Sequence, residues 1–277
     1  MGYFAKMQED LAGKPPLLMG IVNVTPNSFS DGGLAFESPN AIELAQRLAA
    51  EGAELIDLGA ESTAPGAEPV PEHEEQRRLL PVVTALAPKL PLSIDTFKSA
   101  VADRMLQLGA RVINDVSGLR ADPRMAAVVA EHKASVIIMH SKESGAHPHV
   151  TDSRRDYKDV VAEVTHFLLG RAEYALGSGI GQDCIALDPG IGRFLSHDPK
   201  YSWELLRRYS ELVEGLSPFP IVIASSRKGF LGGALQSRDP ISQLTALWAT
   251  QRGAKIVRTH APGMMKQFLE AERATNR

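Results

Sequence analysis

The sequence has a single cysteine, Cys184, in 277 residues. A lone thiol cannot form an internal disulfide, so the fold holds without covalent staples and a reducing, cytoplasmic setting is expected. Cys184 precedes the apolar run Ile185-Ala186-Leu187 and reads as a strand core residue rather than a nucleophile. Charge of one sign is also missing. Thirty basic residues against 33 acidic ones leave a net charge of −3, too little to draw the chain to nucleic acid or to an anionic membrane, so neither is expected as a partner. No window approaches ~20 apolar residues, and residues 1–14 carry no apolar core of signal-peptide length; neither a spanning helix nor export is expected. His/Cys clusters with zinc spacing are absent as well. His147-Pro148-His149 comes nearest, but it stands in a polar stretch with no third ligand.

What the chain does have is a repeat of one unit. Short apolar runs at residues 17–22, 55–58, 92–94, 112–113, 136–139, 185–187, 221–224 and 256–257 predict eight strands. Stretches of helical spacing at 40–51, 72–87, 99–108, 123–131, 157–176, 200–214, 240–252 and 262–273 separate and follow them. Gly52, Gly109 and Gly253 each stand where a helix must stop before the next strand. Strict alternation predicts a parallel sheet covered on both faces, and eight units predict an α/β fold of the (β/α)8 TIM-barrel class. No linker divides the chain, so residues 1–277 read as one domain with 1–14 as an N-terminal extension. An open doubly wound sheet would also suit this length. It would normally carry a glycine-rich phosphate loop after its first strand, where this chain has Asn23-Val24-Thr25-Pro26-Asn27-Ser28-Phe29.

In such a barrel the reacting groups stand at the C-terminal ends of the strands. The first polar residues after each run are Asn23; Glu61, Ser62 and Thr63; Asp95; Asn114 and Asp115; His140; Asp188; Ser225, Ser226 and Lys228; and Arg258 and His260. Asp57, inside the second run, has no clear place in this scheme. Short acceptors such as Asp95, Asn114 and Asp188 suit a planar heterocycle rich in N–H groups and ring nitrogens. Lys228, Arg258 and His260 follow strands seven and eight, the usual phosphate side of a barrel, and can grip an anion by charge-assisted bonds. Asn23, with phosphate oxygens, offers the hard ligands that Mg²⁺ prefers.

These motifs resemble the dihydropteroate synthase family. The first signature is similar to residues 19–33, beginning Met19-Gly20-Ile21-Val22-Asn23, and the second to residues 53–67, which include Asp57-Leu58-Gly59-Ala60-Glu61-Ser62-Thr63. Ser93-Ile94-Asp95-Thr96, Ile113-Asn114-Asp115-Val116, Met139-His140, Leu187-Asp188-Pro189-Gly190-Ile191-Gly192, Ser226-Arg227-Lys228 and Val257-Arg258-Thr259-His260 follow in family order. The resemblance implies condensation of a pterin pyrophosphate with 4-aminobenzoate. It implies that Asp95, Asn114, Asp188 and Lys228 hold the pterin, with Val116 and Met139 lining its slot. Asn23, Arg258 and His260 would contact pyrophosphate, with Mg²⁺ near Asn23, while Thr63 and Ser226 would lie near the aminobenzoate. Asp95, Asp188, Lys228, Arg258 and Asn23 are then the candidates for catalysis, and a homodimer built through the C-terminal helices is expected.

The chain also departs from the family pattern. Ala64 replaces an arginine of the second loop, Gly229 a serine after Ser-Arg-Lys, and Gly192-Arg193-Phe194-Leu195-Ser196 and Arg258-Thr259-His260-Ala261-Pro262 differ from their usual counterparts. By the resemblance, three of these changes fall on loops that would meet aminobenzoate, and several resemble the sulfonamide-resistant branch of the family. Two other readings share the barrel: a methyltetrahydrofolate-binding methyltransferase domain, and a non-catalytic pterin-binding homologue.

Overall fold

The computed structural model describes residues 2–5, 15–24, 38–62, 67–143 and 154–275. Along them run β1 (Leu17–Asn23), α1 (Ser38–Ala50), β2 (Leu55–Gly59), α2 (Glu72–Leu86), β3 (Leu92–Asp95), α3 (Ser99–Gln107), β4 (Val112–Asp115), α4 (Met125–Glu131), β5 (Ser135–Met139), α5 (Val160–Gly177), β6 (Ile185–Asp188), α6 (Pro199–Arg207), α7 (Tyr209–Gly215), β7 (Val222–Ile223), α8 (Arg238–Thr250), β8 (Ile256–Thr259) and α9 (Pro262–Thr275). The strand order is β6-β5-β4-β3-β2-β1-β8-β7, with every described ladder parallel. A bridge between Leu187 and Ile221, with the Leu187 N–H on the Pro220 carbonyl at 3.0 Å, joins the two ends. The expected eight-stranded barrel is therefore formed.

The apolar runs conceal a period of two. Leu17, Met19, Leu55, Val112, Ile137 and Ile256 share one cluster inside the barrel. Ile56, Leu58, Leu92, Ile94, Ile113 and Ile138 face outward into a second cluster shared with the helices. Successive side chains of a strand must point to opposite faces, and both faces are covered here. Burying one such aliphatic side chain contributes roughly 2 kcal/mol. The same parity carries polar residues inward near the C-terminal ends: Asp57 follows Leu55, Asn114 follows Val112, Asp188 follows Ala186, and Arg258 follows Ile256.

The opposite end of the barrel is plugged from the N-terminus. Phe4 is fully buried in the interior cluster, and the Phe4 N–H bonds the Asp183 carbonyl at 3.2 Å. Gly2–Ala5 is thus part of the barrel rather than an extension of it.

Two helices differ from expectation. The single helix expected at 200–214 breaks at Arg208, which has φ −100° and ψ 24°. Its guanidinium reaches Asp159 at 2.9 Å and Glu211 at 2.6 Å, while the fully buried Tyr209 donates to the Val222 carbonyl at 3.0 Å. Helix α5 starts at Val160 rather than 157 because the Asp159 carboxylate caps the N–H groups of Val161 and Ala162, each at 3.0 Å.

Candidate active site

Inward parity gathers one polar array at the barrel mouth. Arg258 donates from Nε to Asp57 Oδ2 at 2.7 Å and from Nη2 to Asp95 Oδ2 at 2.7 Å. Asn114 Nδ2 donates to the same Asp57 oxygen at 3.1 Å. Asp57 is fully buried, and neighbouring register places it beside Ser93 on β3. Asp57 Oδ1 and Ser93 Oγ find no partner among the described residues. Gly59 makes room for the array, since a Cβ there would lie 3.4 Å from that of Asp95.

Across the mouth, Lys228 Nζ donates to the Ile191 carbonyl at 2.6 Å. Its stem passes over Gly192, whose φ of +90° and lack of Cβ are both required: a Cβ would come within 2.9 Å of Lys228 Cδ. Asp188 accepts from the Gly190 N–H at 2.7 Å. Val116 and Met139 pack with Phe97 into a small buried cluster that Phe194 joins from the rim. Ser226 Oγ and His260 Nδ1 lie 2.9 Å apart.

Burial sets the charges. It pushes the Asp95 carboxyl up to about 7, with Arg258 opposing and Asp57 adding to the rise, and it also raises Asp188 against the pull of Lys228. Burial brings Lys228 down to about 8, against the neighbouring carboxylates. It opposes the charge on Arg258 too, but Asp57 and Asp95 outweigh it and hold the guanidinium firmly protonated. His260 is lowered to about 4 by burial and by Arg227 and Arg258. It is therefore neutral near pH 7 and offers a hydrogen bond rather than the positive charge expected of it. Two of the three Arg258 nitrogens are committed to carboxylates, which ties this residue to the floor of the site as well as to the expected anion side.

Several strand-end residues take other work, and parity explains it for Asp115, His140 and Ser225. Asp115 points outward: its oxygens accept from the N–H groups of Ser117 at 2.7 Å and Leu119 at 3.0 Å. His140 also points outward and stacks edge-on against Phe167 of α5, with ring centroids 4.9 Å apart; burial lowers it to about 3. Ser225 donates to the Ser242 carbonyl of α8 at 3.0 Å. Glu61 pairs with Lys98, which also bonds Glu75 at 2.6 Å and the Val70 carbonyl at 2.7 Å. Thr63, Ala64 and the His147–His149 pair lie outside the described residues. Asp57 is the member of this array that strand-end reading left without a place. Its signal was present all the same: an acid at an inward position of one strand and an arginine at an inward position of another.

Among the described residues no three His, Cys, Asp or Glu side chains gather as a metal site. Asn23, exposed at the end of β1, offers one amide oxygen. That fits a Mg²⁺ ion whose other ligands are phosphate oxygens and water.

Comparison with known proteins points the same way. The family described as pterin binding enzyme matches residues 19–260. The chain is 39% identical over 263 residues to the dihydropteroate synthase of Synechocystis sp., covering 92% of this chain and 89% of that protein. It superposes on Xanthomonas albilineans dihydropteroate synthase with 4-aminobenzoic acid at a TM-score of 0.85 and 38% identity, covering 94% and 93% of the two chains. A structure of that enzyme in complex with 7,8-dihydropteroate gives 0.81 and 36%, covering 94% of each chain.

Proposed function

The chain belongs to the family of pterin binding enzymes, and on that premise we propose that it is a transferase of folate biosynthesis, a dihydropteroate synthase. It joins 6-hydroxymethyl-7,8-dihydropterin pyrophosphate to 4-aminobenzoate and releases 7,8-dihydropteroate and pyrophosphate. The observation that carries this reading is the Asp57–Arg258–Asp95 array, built on the buried Asp57 with Asn114 beside it, facing Asp188 and Lys228 across the mouth. A pterin edge alternates donors and acceptors, and such an array can meet it without leaving a buried polar group unpaired.

The chemistry follows from charge. The C–O bond to pyrophosphate breaks as the C–N bond to the amine forms. Positive charge builds on the exocyclic methylene and spreads into the electron-rich ring, where ionised Asp95 and Asp188 stabilise it. Lys228 and Arg258 supply positive charge toward the departing anion, and neutral His260 and Ser226 supply hydrogen bonds. The amine loses its proton once it carries the new bond and has become acidic, so no strong base is required. Asn23 would hold Mg²⁺, which when bound neutralises part of the pyrophosphate charge. Thr63 and Ser226 would stand near the aminobenzoate.

A second copy of the chain fits the outer face of α8, where Ile241, Leu244 and Trp248 are exposed. No helix of the described residues is long and apolar enough to cross a membrane, and the unpaired Cys184 suits a cytoplasmic enzyme.

The test is pyrophosphate release with both substrates. Wild type releases it only when 4-aminobenzoate is present, and Asp95→Asn loses on the order of a hundredfold in kcat. Pterin binding without release would instead mark a non-catalytic homologue.

A further inference from the structure

The turn that carries Ser226 and Lys228 contains an anomaly. Lys228 N–H bonds back to the Ser225 carbonyl at 3.2 Å, and within this turn Arg227 has φ +58°. That is the left-handed region, where a residue with a Cβ is disfavoured and glycine or asparagine is usual. An arginine here needs a reason and a restraint.

Helix α8 supplies the restraint through every handle that Arg227 has. The guanidinium forms a two-pronged pair with Asp239, Nε to Oδ1 at 2.7 Å and Nη2 to Oδ2 at 2.8 Å. The Arg227 N–H donates to Ser242 Oγ at 2.9 Å, and its carbonyl accepts from Arg238 Nη1 at 3.1 Å. Ser242 Oγ is itself fixed, donating to the Arg238 carbonyl at 2.7 Å. The side chain, amide and carbonyl of one strained residue are thus all held by the first turns of one helix. The flanking side chains face the site: Ser226 toward His260 at 2.9 Å, and Lys228 onto the Ile191 carbonyl at 2.6 Å. Glycine would relieve the backbone, but it would give α8 no two-pronged handle.

We infer that the Arg227–Asp239 pair is a positioning device, which locks the left-handed turn against α8 and thereby sets where Ser226 and Lys228 stand relative to substrate. Neither residue touches the reacting atoms. This inference rests on the synthase reading of the site.

The test uses Arg227→Gly, which suits the left-handed backbone and removes only the handle, and Asp239→Asn, which keeps the shape and removes the charge. Both are expected to lower kcat/KM by on the order of tenfold or more, as small misplacements of reacting groups do, with little change in melting temperature. The swap Arg227→Asp with Asp239→Arg is expected to restore part of the loss, since aspartate tolerates the left-handed region. Binding of 6-hydroxymethylpterin, followed by its fluorescence, is measured in parallel and weakens in both single variants. Absence of pyrophosphate release from wild type would overturn the synthase reading alone; the positioning role is then judged on pterin binding. Single variants that keep both pterin affinity and any turnover within twofold of wild type overturn the positioning role. So does a loss that only tracks lost thermal stability and that the swap fails to restore.

Discussion

Replacing Asp57 by asparagine tests whether the floor of the site sets the protonation of Asp95. Asp57 and Asp95 each place a carboxylate oxygen 2.7 Å from Arg258 Nη2, so their charges stand on the order of 5 Å apart. At an effective dielectric of about 20, repulsion across that distance is roughly 3 kcal/mol, or about two pH units in a carboxyl titration. Asparagine keeps an oxygen for Arg258 and Asn114 but removes the charge, so Arg258 can neutralise Asp95 without competition. Asp95, held at about 7 in wild type, should then titrate one to two pH units lower. Carbon NMR of labelled aspartate in the free protein reads this directly, and the acidic limb of kcat/KM should move with it. A midpoint that stays put or rises would refute the coupling. Asp57→Leu provides the contrast. It strands Arg258 Nε and Asn114 Nδ2 in a buried place and should cost about 3 to 5 kcal/mol of stability in urea denaturation.

Burial raises Asp95 to about 7 and Asp115 to about 6. The folded chain therefore holds protons there that the unfolded chain has released, and stability should fall as pH rises from about 4 to 7 and level off above, each group costing on the order of 3 kcal/mol. Asp95→Asn should flatten that slope and be more stable than wild type at pH 8 although its turnover is lowered; urea midpoints against pH decide it. At Gly190 the backbone has φ +67° and a Cβ would stand 2.0 Å from the His140 carbonyl oxygen, so Gly190→Ala should cost about 3 kcal/mol or more. Gly170→Ala, in α5 with nothing within 4 Å, should gain up to about 1 kcal/mol; equal melting temperatures for the two variants would contradict both. A Cβ at Gly229 likewise meets nothing, so Gly229→Ser should fold normally. It should lower the KM for 4-aminobenzoate and the inhibition constant of a sulfonamide together, while pterin affinity stays unchanged.

The barrel was legible because parallel strands covered on both faces must be apolar throughout, and the observed strands start and stop within one or two residues of the runs in the sequence. The break at Arg208 was not, since both halves share one helical period and the kink comes from partners distant in sequence, Asp159 and Val222. In the site, position relative to the strand end picked out Asp95, Asn114, Asp188 and Lys228, which the fold brings to one mouth. It misplaced Asp115 and His140, because distance along a strand does not say which face a residue takes. Counting by twos from an interior residue would have sent both outward and drawn Asp57 in. The charge state of His260 could not be read from sequence at all, since it depends on how deeply the ring is buried beside two arginines.

The barrel closes over a single bridge between Leu187 and Ile221, where its other neighbours share ladders. That seam separates the strand ending in Asp188 from the strand leading to Ser226 and Lys228. A cylinder with one weak stave joint breathes there first, and here the two lips of the joint each carry half of the proposed ligand grip. A molecule held by both acts as a clasp across the crack. Occupancy should be felt as slower amide exchange at Leu187 on the back of the wall, away from any atom the ligand touches.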